Sequence, residues 1–483
     1  MGKGMFLCSC VWLAGCTTGP DFMSPALPAT GSYTRDTLAT GDDQHFTSGA
    51  DIPADWWTVY HSPALDRLVR QALAKNPGLD AAQAAVRVAM ENVKAQSGAF
   101  YPSVTAGLSA SRNQNSTVLS PSLTSATLLY DLYQAQLSVN WSPDIWGGNK
   151  RQVEALQAAA DSQRFQLQAA RVALVTNLVE AVIVDAMLRG QIAASNAVIA
   201  DEQQILAIEQ RQQAVGQIAG ADVATQELAL AQARQSLPPL QKQLAEQDDL
   251  IAALTGVLPS EAESETMELS SLTLPGDLPL SLPSKLVAQR ADVRSAEENL
   301  HMASAGIGVA VANQLPNFTL SANTGSVATQ LGQIFSPGNN FWNVGAGVAS
   351  TLFDAGTLAH RAQAARDTYD EAAAQYRGTV IAAFQNVADA LHAIATDGDG
   401  LKAASAAEAA AARSLAIARR QQELGQTSSL GLLTAEQADQ QARLAVIQAQ
   451  ANRLTDTALL YQALGGGWWN QLPDVNEADV AKP

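Results

Sequence analysis

Four short stretches of the chain alternate with period two. In 102–111, Val104, Ala106, Leu108 and Ala110 alternate with Thr105, Gly107, Ser109 and Ser111. In 135–141, Leu137, Val139 and Trp141 alternate with Ser138 and Asn140. In 317–323, Phe318, Leu320 and Ala322 alternate with Thr319, Ser321 and Asn323. In 342–352, Trp342, Val344, Ala346 and Val348 alternate with Asn343, Gly345, Gly347 and Ala349. Each predicts a strand with one apolar face and one small or polar face. Their length, about 9–11 residues, suits a tilted membrane strand. The intervening loops, 113–127 and 327–340, are rich in Ser, Thr, Asn, Gln and Gly. Phe100, Tyr101, Trp141, Trp146, Phe341, Trp342 and Phe353 cluster at the strand ends, as in the aromatic girdles of lipid-facing barrels. A soluble sheet packed on helices is the competing reading.

The rest of the chain reads as long helices. From 149 to 215 there is no proline and one glycine, Gly190. Such a stretch, unbroken, reaches about 100 Å at about 1.5 Å per residue. The stretch 357–424 is comparable, with Asp397-Gly398-Asp399-Gly400 expected to break or widen it. Shorter return helices follow Gly220 and Ser429, and Pro238-Pro239 is expected to interrupt the first. Alanine runs at 158–160 and 409–412 favour helix and permit close helix contact.

The pattern occurs twice. "RQQAVGQIAGADVATQE" (211–227) matches "RQQELGQTSSLGLLTAE" (420–436) at an offset of 209, which also carries Gly147 onto Gly356 and Asn177 onto Asn386. "YPSVTAGLSAS" (101–111) answers "LPNFTLSANTG" (315–325) at an offset of 214. The duplicated unit is a helix, a strand pair, a long helix, a tip and a returning helix. The expected division is a leader (1–15), an extended segment (16–60), a first repeat (61–257), an acidic and Pro-rich connection (258–284), a second repeat (285–467) and a tail (468–483). Four strands cannot close a barrel, and an open edge in lipid strands backbone groups at several kcal/mol each. Membrane strands therefore demand an oligomer; two, three or four copies give about 8, 12 or 16 strands.

Composition narrows the function. The net charge of −17, with no basic run, argues against nucleic acid as a partner. All three cysteines, Cys8, Cys10 and Cys16, lie in the first sixteen residues. A short apolar run after Lys3 ends in Leu13-Ala14-Gly15-Cys16, a signal-peptide core followed by what resembles a bacterial lipobox. On that reading Cys16 becomes a lipidated N-terminus, and Thr17, which is not Asp, directs it to the outer membrane. No enzyme chemistry stands out. The five histidines, His45, His61, His301, His360 and His392, are dispersed, and no HExxH, GxSxG or phosphate loop is present. No metal site and no cofactor are expected beyond the covalent lipid. "GAGVAS" from Gly345 lies inside an alternating strand and reads as small lumen-facing residues, not a dinucleotide loop.

"GCTTGPDFMSP", "WWTVYHSPALDRLVRQALAKNP", "LPSKLVAQRADVRSAE" and "STLFDAGTL" resemble the TolC-type outer-membrane factors, and most closely the lipoprotein branch serving tripartite efflux pumps. The resemblance runs from about Cys16 to Gly467. It implies a fold that is mainly α with transmembrane β. Three chains of duplicated hairpins and four strands would form a 12-strand β-barrel continuous with a long periplasmic α-barrel. It implies a homotrimer in outer-membrane lipid, docked on a periplasmic adaptor and an inner-membrane pump, conducting small molecules passively. An outer-membrane channel for type I protein secretion is the alternative. Gly216 and Gly425 fall at the helix-hairpin turns that form the periplasmic mouth in the family. Asp222 matches the family's latch carboxylate, whose tyrosine and arginine partners fall on Gln422 and Thr427. Neither can pair with it by charge, so Arg211, Arg420 or Asp222 across the threefold axis become the candidates; an ordinary helix cap is the simpler role for Asp222. Arg290-Ala291-Asp292 departs from the family's Arg-Pro-Asp, at the cost of a helix-start proline.

Overall fold

The computed structural model describes residues 17–26, 30–36, 44–116, 129–262, 266–424 and 426–470. Cys16 and Gly425 lie outside the described residues. The helices are α1 (Pro63–Lys75), α2 (Pro77–Ser97), α3 (Gly148–Ala214), α4 (Gly220–Leu254), α5 (Pro283–Gln289), α6 (Ala291–Ala312), α7 (Thr357–Glu423) and α8 (Ser429–Ala463). The strands are β1 (His45–Ser48), β2 (Ser103–Gln114), β3 (Leu129–Trp141), β4 (Asp277–Leu280), β5 (Asn317–Ala328) and β6 (Asn340–Ala349).

The duplication extends to the element bounds. α3 and α7 are both 67 residues long, and α4 and α8 both 35. Each pair keeps the offset of 209, while α2 and α6, and β2 and β5, start 214 apart. Two expected interruptions do not occur. α7 runs unbroken through Asp397-Gly398-Asp399-Gly400. A helical glycine costs only about 1 kcal/mol against alanine, and the buried Leu391 and Ile394 hold the turn before it. α4 likewise continues through Pro238-Pro239. Two lost N–H donors do not end a helix anchored on one side by Ala229, Leu230 and Ala233 and on the other by Ala252. The missing proline at Ala291 is also absorbed. α6 starts there, and the Arg290 guanidinium ties the junction to Asp292 at 2.6 and 3.0 Å and to the Ala463 carbonyl at 2.9 Å.

The chain forms two compact units, each drawing on both repeats. One comprises Met1–Pro25, Val86–Gln163 and Ala296–Tyr376; the other Ala26–Ala85, Arg164–Ser295 and Arg377–Pro483. The first unit holds an antiparallel sheet in the order β2-β3-β5-β6. β3 and β5 extend well beyond the alternating stretches seen in the sequence, while β6 ends at Ala349, short of 352. Here, too, Arg151 lies buried and gathers the segment that follows Cys16. It donates to the Thr18 carbonyl at 3.0 Å, to Asp21 at 2.6 Å and to Glu154 at 2.8 Å. Phe22 stacks on His301 at 4.4 Å, and His301 Nε2 sits 3.0 Å from Glu154. Replacing Arg151 with Ala leaves Glu154 short of its cation, at a cost of about 3 kcal/mol. Amide exchange across residues 18–22 is expected to become fast in Arg151→Ala while the strands stay protected.

The second unit carries a conventional core and the helical tips. Trp56 stacks on Tyr461 at 5.2 Å, and the Tyr60 hydroxyl donates to the Leu454 carbonyl at 2.9 Å. β1 and β4 form a separate parallel pair beside it. Among the described residues no helix is long and apolar enough to cross a membrane.

Candidate functional site

Two features can do work: the sheet and the helical tips. Register sorts the sheet into rows. Val104, Val139, Ala322 and Val344 lie side by side, and the next row is Thr105, Ser138, Asn323 and Asn343. Paired residues share a face, so the first row belongs to an apolar surface and the second to a polar one. The polar face is bonded across strands: Gln136, two residues along β3 from Ser138, donates to Asn323, and Asn323 to Asn343, both at 3.1 Å. On the apolar side Val104, Leu108, Trp342, Val344 and Val348 are all exposed, uncovered by the described residues. A soluble sheet buries that face on helices. This one presents it outward, and among the described residues its outer strands β2 and β6 have no further partner. Gly345 and Gly347 lie on the polar face, opposite Ser321 and Thr319, as expected for small residues lining a lumen.

The tips are the two turns joining α3 to α4 and α7 to α8. Gly216 has φ +77°, and its amide closes the turn on the Gln213 carbonyl at 2.9 Å. A left-handed residue at a helix end suits glycine. Asp222 stands in the first turn of α4 and reaches back to the Ala219 amide at 3.2 Å. This is the carboxylate half of a capping box, since Ala219 has no acceptor of its own. α8 instead has a full side-chain cap, Ser428 Oγ accepting from the Gly431 amide at 3.3 Å. Asp222→Ala is expected to cost about 1 kcal/mol of helix stability and to leave unitary conductance unchanged. A steady, enlarged conductance would instead show that Asp222 holds the mouth shut.

The other expected gate residues are placed as follows. Arg211 and Arg420 are exposed in the last turns of α3 and α7. Thr427 is half-buried beside Gly431. Gln422 turns toward the first hairpin and donates to Glu209 Oε1 at 3.0 Å. The structure adds residues the sequence did not single out. Arg419, next to Arg420, binds Asp201 at 2.8 Å and stands 3.7 Å from Glu436. Glu202, Gln226, Glu436 and Asp439 are buried around it. Asp201-Glu202 is the one adjacent acidic pair in α3 and was the available signal. Burial pushes Glu436 up to about 8, reinforced by the charge of Glu202 and a hydrogen bond shared with it, and opposed by Arg419. Burial also raises Glu202, against hydrogen bonds from Glu436 and Gln226. Leu415, Leu432 and Ala435 pack beneath these groups with Ile205.

The family model described as outer membrane efflux protein matches residues 68–257 and 282–466. The probable efflux pump outer membrane protein TtgC of Pseudomonas putida is 27% identical over 478 residues, 98% of this chain and 97% of the relative. The pyoverdine export outer membrane protein OpmQ of Pseudomonas putida is 29% identical over 433 residues, 86% and 89% of the two chains. The solved outer-membrane channel OprN superposes with a TM-score of 0.84 at 27% identity, covering 94% of this chain and 100% of that one. With an uncovered apolar sheet, paired hairpins of matched length and a family model spanning both repeats, the chain belongs to the outer membrane efflux protein family and is an outer-membrane channel component of an efflux system.

Proposed function

We propose that three copies of this chain share one β-barrel and act as a passive, gated conduit. The observation that carries this is the four-stranded sheet with open outer strands and a bare apolar face. In lipid those edges must pair, and strands of neighbouring copies are the chemically identical solution. Three is the number the TolC-type resemblance implies, and it supplies 12 strands from a four-stranded sheet. Cys16 carries the lipid that holds the N-terminus at the membrane, and Arg151 grips the segment that follows it. The tips dock on a periplasmic adaptor and through it on an inner-membrane pump, which supplies the energy. Cargo is small: drugs, toxic compounds or metal ions. The chain catalyses nothing and needs no cofactor.

The test is planar-bilayer recording of the purified protein beside a variant with both tip turns disrupted, with native mass spectrometry of the same sample. Discrete unitary steps, larger and steadier in the tip variant, and a mass of three copies are expected. Silence from both proteins after verified insertion would sink the conduit reading, and a mass of two or four copies the trimer.

A further inference from the structure

Two buried carboxylates meet at the tip without enough cations. Glu202 of α3 is 3% exposed and Glu436 of α8 6%. Around them stand Asp201 on α3, Arg419 on α7, and Asp439 and Arg443 on α8; α4 contributes the neutral Gln226. Arg443 is committed to Asp439 at 2.8 Å, and Arg419 to Asp201 at 2.8 Å. The distance of 3.7 Å from Arg419 to Glu436 is beyond hydrogen-bond reach. Gln226 donates to Glu202, and neither oxygen of Glu436 meets a protein donor. A buried carboxylate with no donor, beside a second buried carboxylate and facing only a guanidinium already bound to Asp201, keeps its proton. The acid then donates its O–H to Glu202, and one bridge replaces two repelling anions.

The pair also spans a joint. Glu202 belongs to the first hairpin and Glu436 to the second. With Arg419–Asp201 and Gln422–Glu209 it makes a line of polar bridges between them, over the apolar contact of Leu415, Leu432 and Ile205. We propose that the Glu202–Glu436 pair is a proton-binding latch: with one shared proton it ties α3 to α8, and without it the two carboxylates repel and the hairpins part at the tip. This rests on the conduit reading. The sign follows from linkage. A carboxyl held above its ordinary value favours the packed state below that ordinary value and loses the contribution as pH rises through about 8. The mouth therefore closes in acid and loosens in mild base.

The experiment is bilayer recording of the full-length protein between about pH 6 and about pH 9.5. Open probability is expected to rise several-fold with a midpoint near 8. Glu436→Gln keeps the shape and fixes the neutral form, so its profile should be flat and closed. Glu202→Gln removes the repelling partner and supplies an amide that can donate to Glu436, so its profile should also flatten; it carries the test if Glu436→Gln does not assemble. A flat parent profile, or a Glu436→Gln profile that titrates like the parent, overturns the latch. The tip-disrupted variant must conduct at every pH. If it does, a flat parent profile counts against the latch alone; if it is silent, the conduit reading fails and the latch with it.

Discussion

A single arginine in place of Leu108 is expected to keep the protein out of the outer membrane. Leu108 is the sixth of the twelve residues of β2 and is 83% exposed on the apolar face. Its neighbour across the strand is Ala135, and Ala106 and Ala110 flank it on the same side. The carboxylate on that face, Asp131, lies two residue pairs farther along, opposite Arg112, and stands 3.8 Å from its guanidinium. In lipid, an arginine near the bilayer midplane of a β-barrel costs about 2–4 kcal/mol. If three copies share one barrel the cost is incurred three times, comparable to the whole stability of many domains, about 5–15 kcal/mol. Thr105→Arg is the matched control. It lies on the same strand, on the polar face opposite Ser138. That variant should insert, with a changed ion preference and no loss of assembly. Separation of outer-membrane from soluble fractions, followed by cross-linking, distinguishes the two. Equal insertion of both variants would mean that the apolar face does not meet lipid.

Gly467→Val is expected to prevent folding of the unit that carries the tips. Gly467 has φ +71°, and a Cβ there would stand 2.3 Å from the Pro53 carbonyl oxygen and 2.8 Å from that of Ile52. The obstacle is backbone, so no side-chain rotation relieves it. The strand of chain it meets is held on both sides: the Asn470 amide side chain donates to the Ile52 carbonyl at 2.8 Å, and Trp469 Nε1 to Asp51 at 3.0 Å. It leads directly into the buried Trp56 and Tyr60. Left-handed strain of about 1–2 kcal/mol adds to overpacking of about 1–3 kcal/mol, and displacement of the 51–53 segment costs the Trp56 packing besides. Gly216→Val supplies the contrast, because its added Cβ meets nothing within 4 Å. It should lose only the left-handed term. Thermal unfolding read by circular dichroism should show a low or absent transition for Gly467→Val and a shift of a few degrees for Gly216→Val. Similar small shifts in both would show that the close approach at Gly467 is relaxed in solution.

Much of the architecture was legible because its signals are local. Period-two alternation located the four strands of the larger sheet, though not the short β1 and β4, and told which residues share a face, since a strand turns its side chains through a fixed half-turn at each step. The matched strings around the tips announced two hairpins of equal length, and the structure holds their helices at the same 209-residue offset. Open sheet edges demanded a partner on chemical grounds alone. The expected breaks at 397–400 and at Pro238-Pro239 failed for a shared reason. Local propensity is worth a few kcal/mol, whereas a long helix is held by the buried contacts it makes before or beyond the weak point.

The tip was less legible. Its helices are rich in Ala and Gln around their circumference, so no apolar stripe says which way they face. Arg419 and Arg420 are neighbours in sequence, but on a helix they point about 100° apart. Only packing decided that Arg419 meets Asp201 while Arg420 stands exposed. The same holds for Glu436 and its repeat equivalent Glu227, one buried and one exposed at corresponding positions. By itself the sequence determined the elements, their duplication, the two faces of the sheet and the need for more than one copy, because these follow from periodicity and from backbone hydrogen bonding. The tertiary structure alone decided which carboxylates are buried together and short of cations, because burial and distance, not residue type, set the cost of a charge.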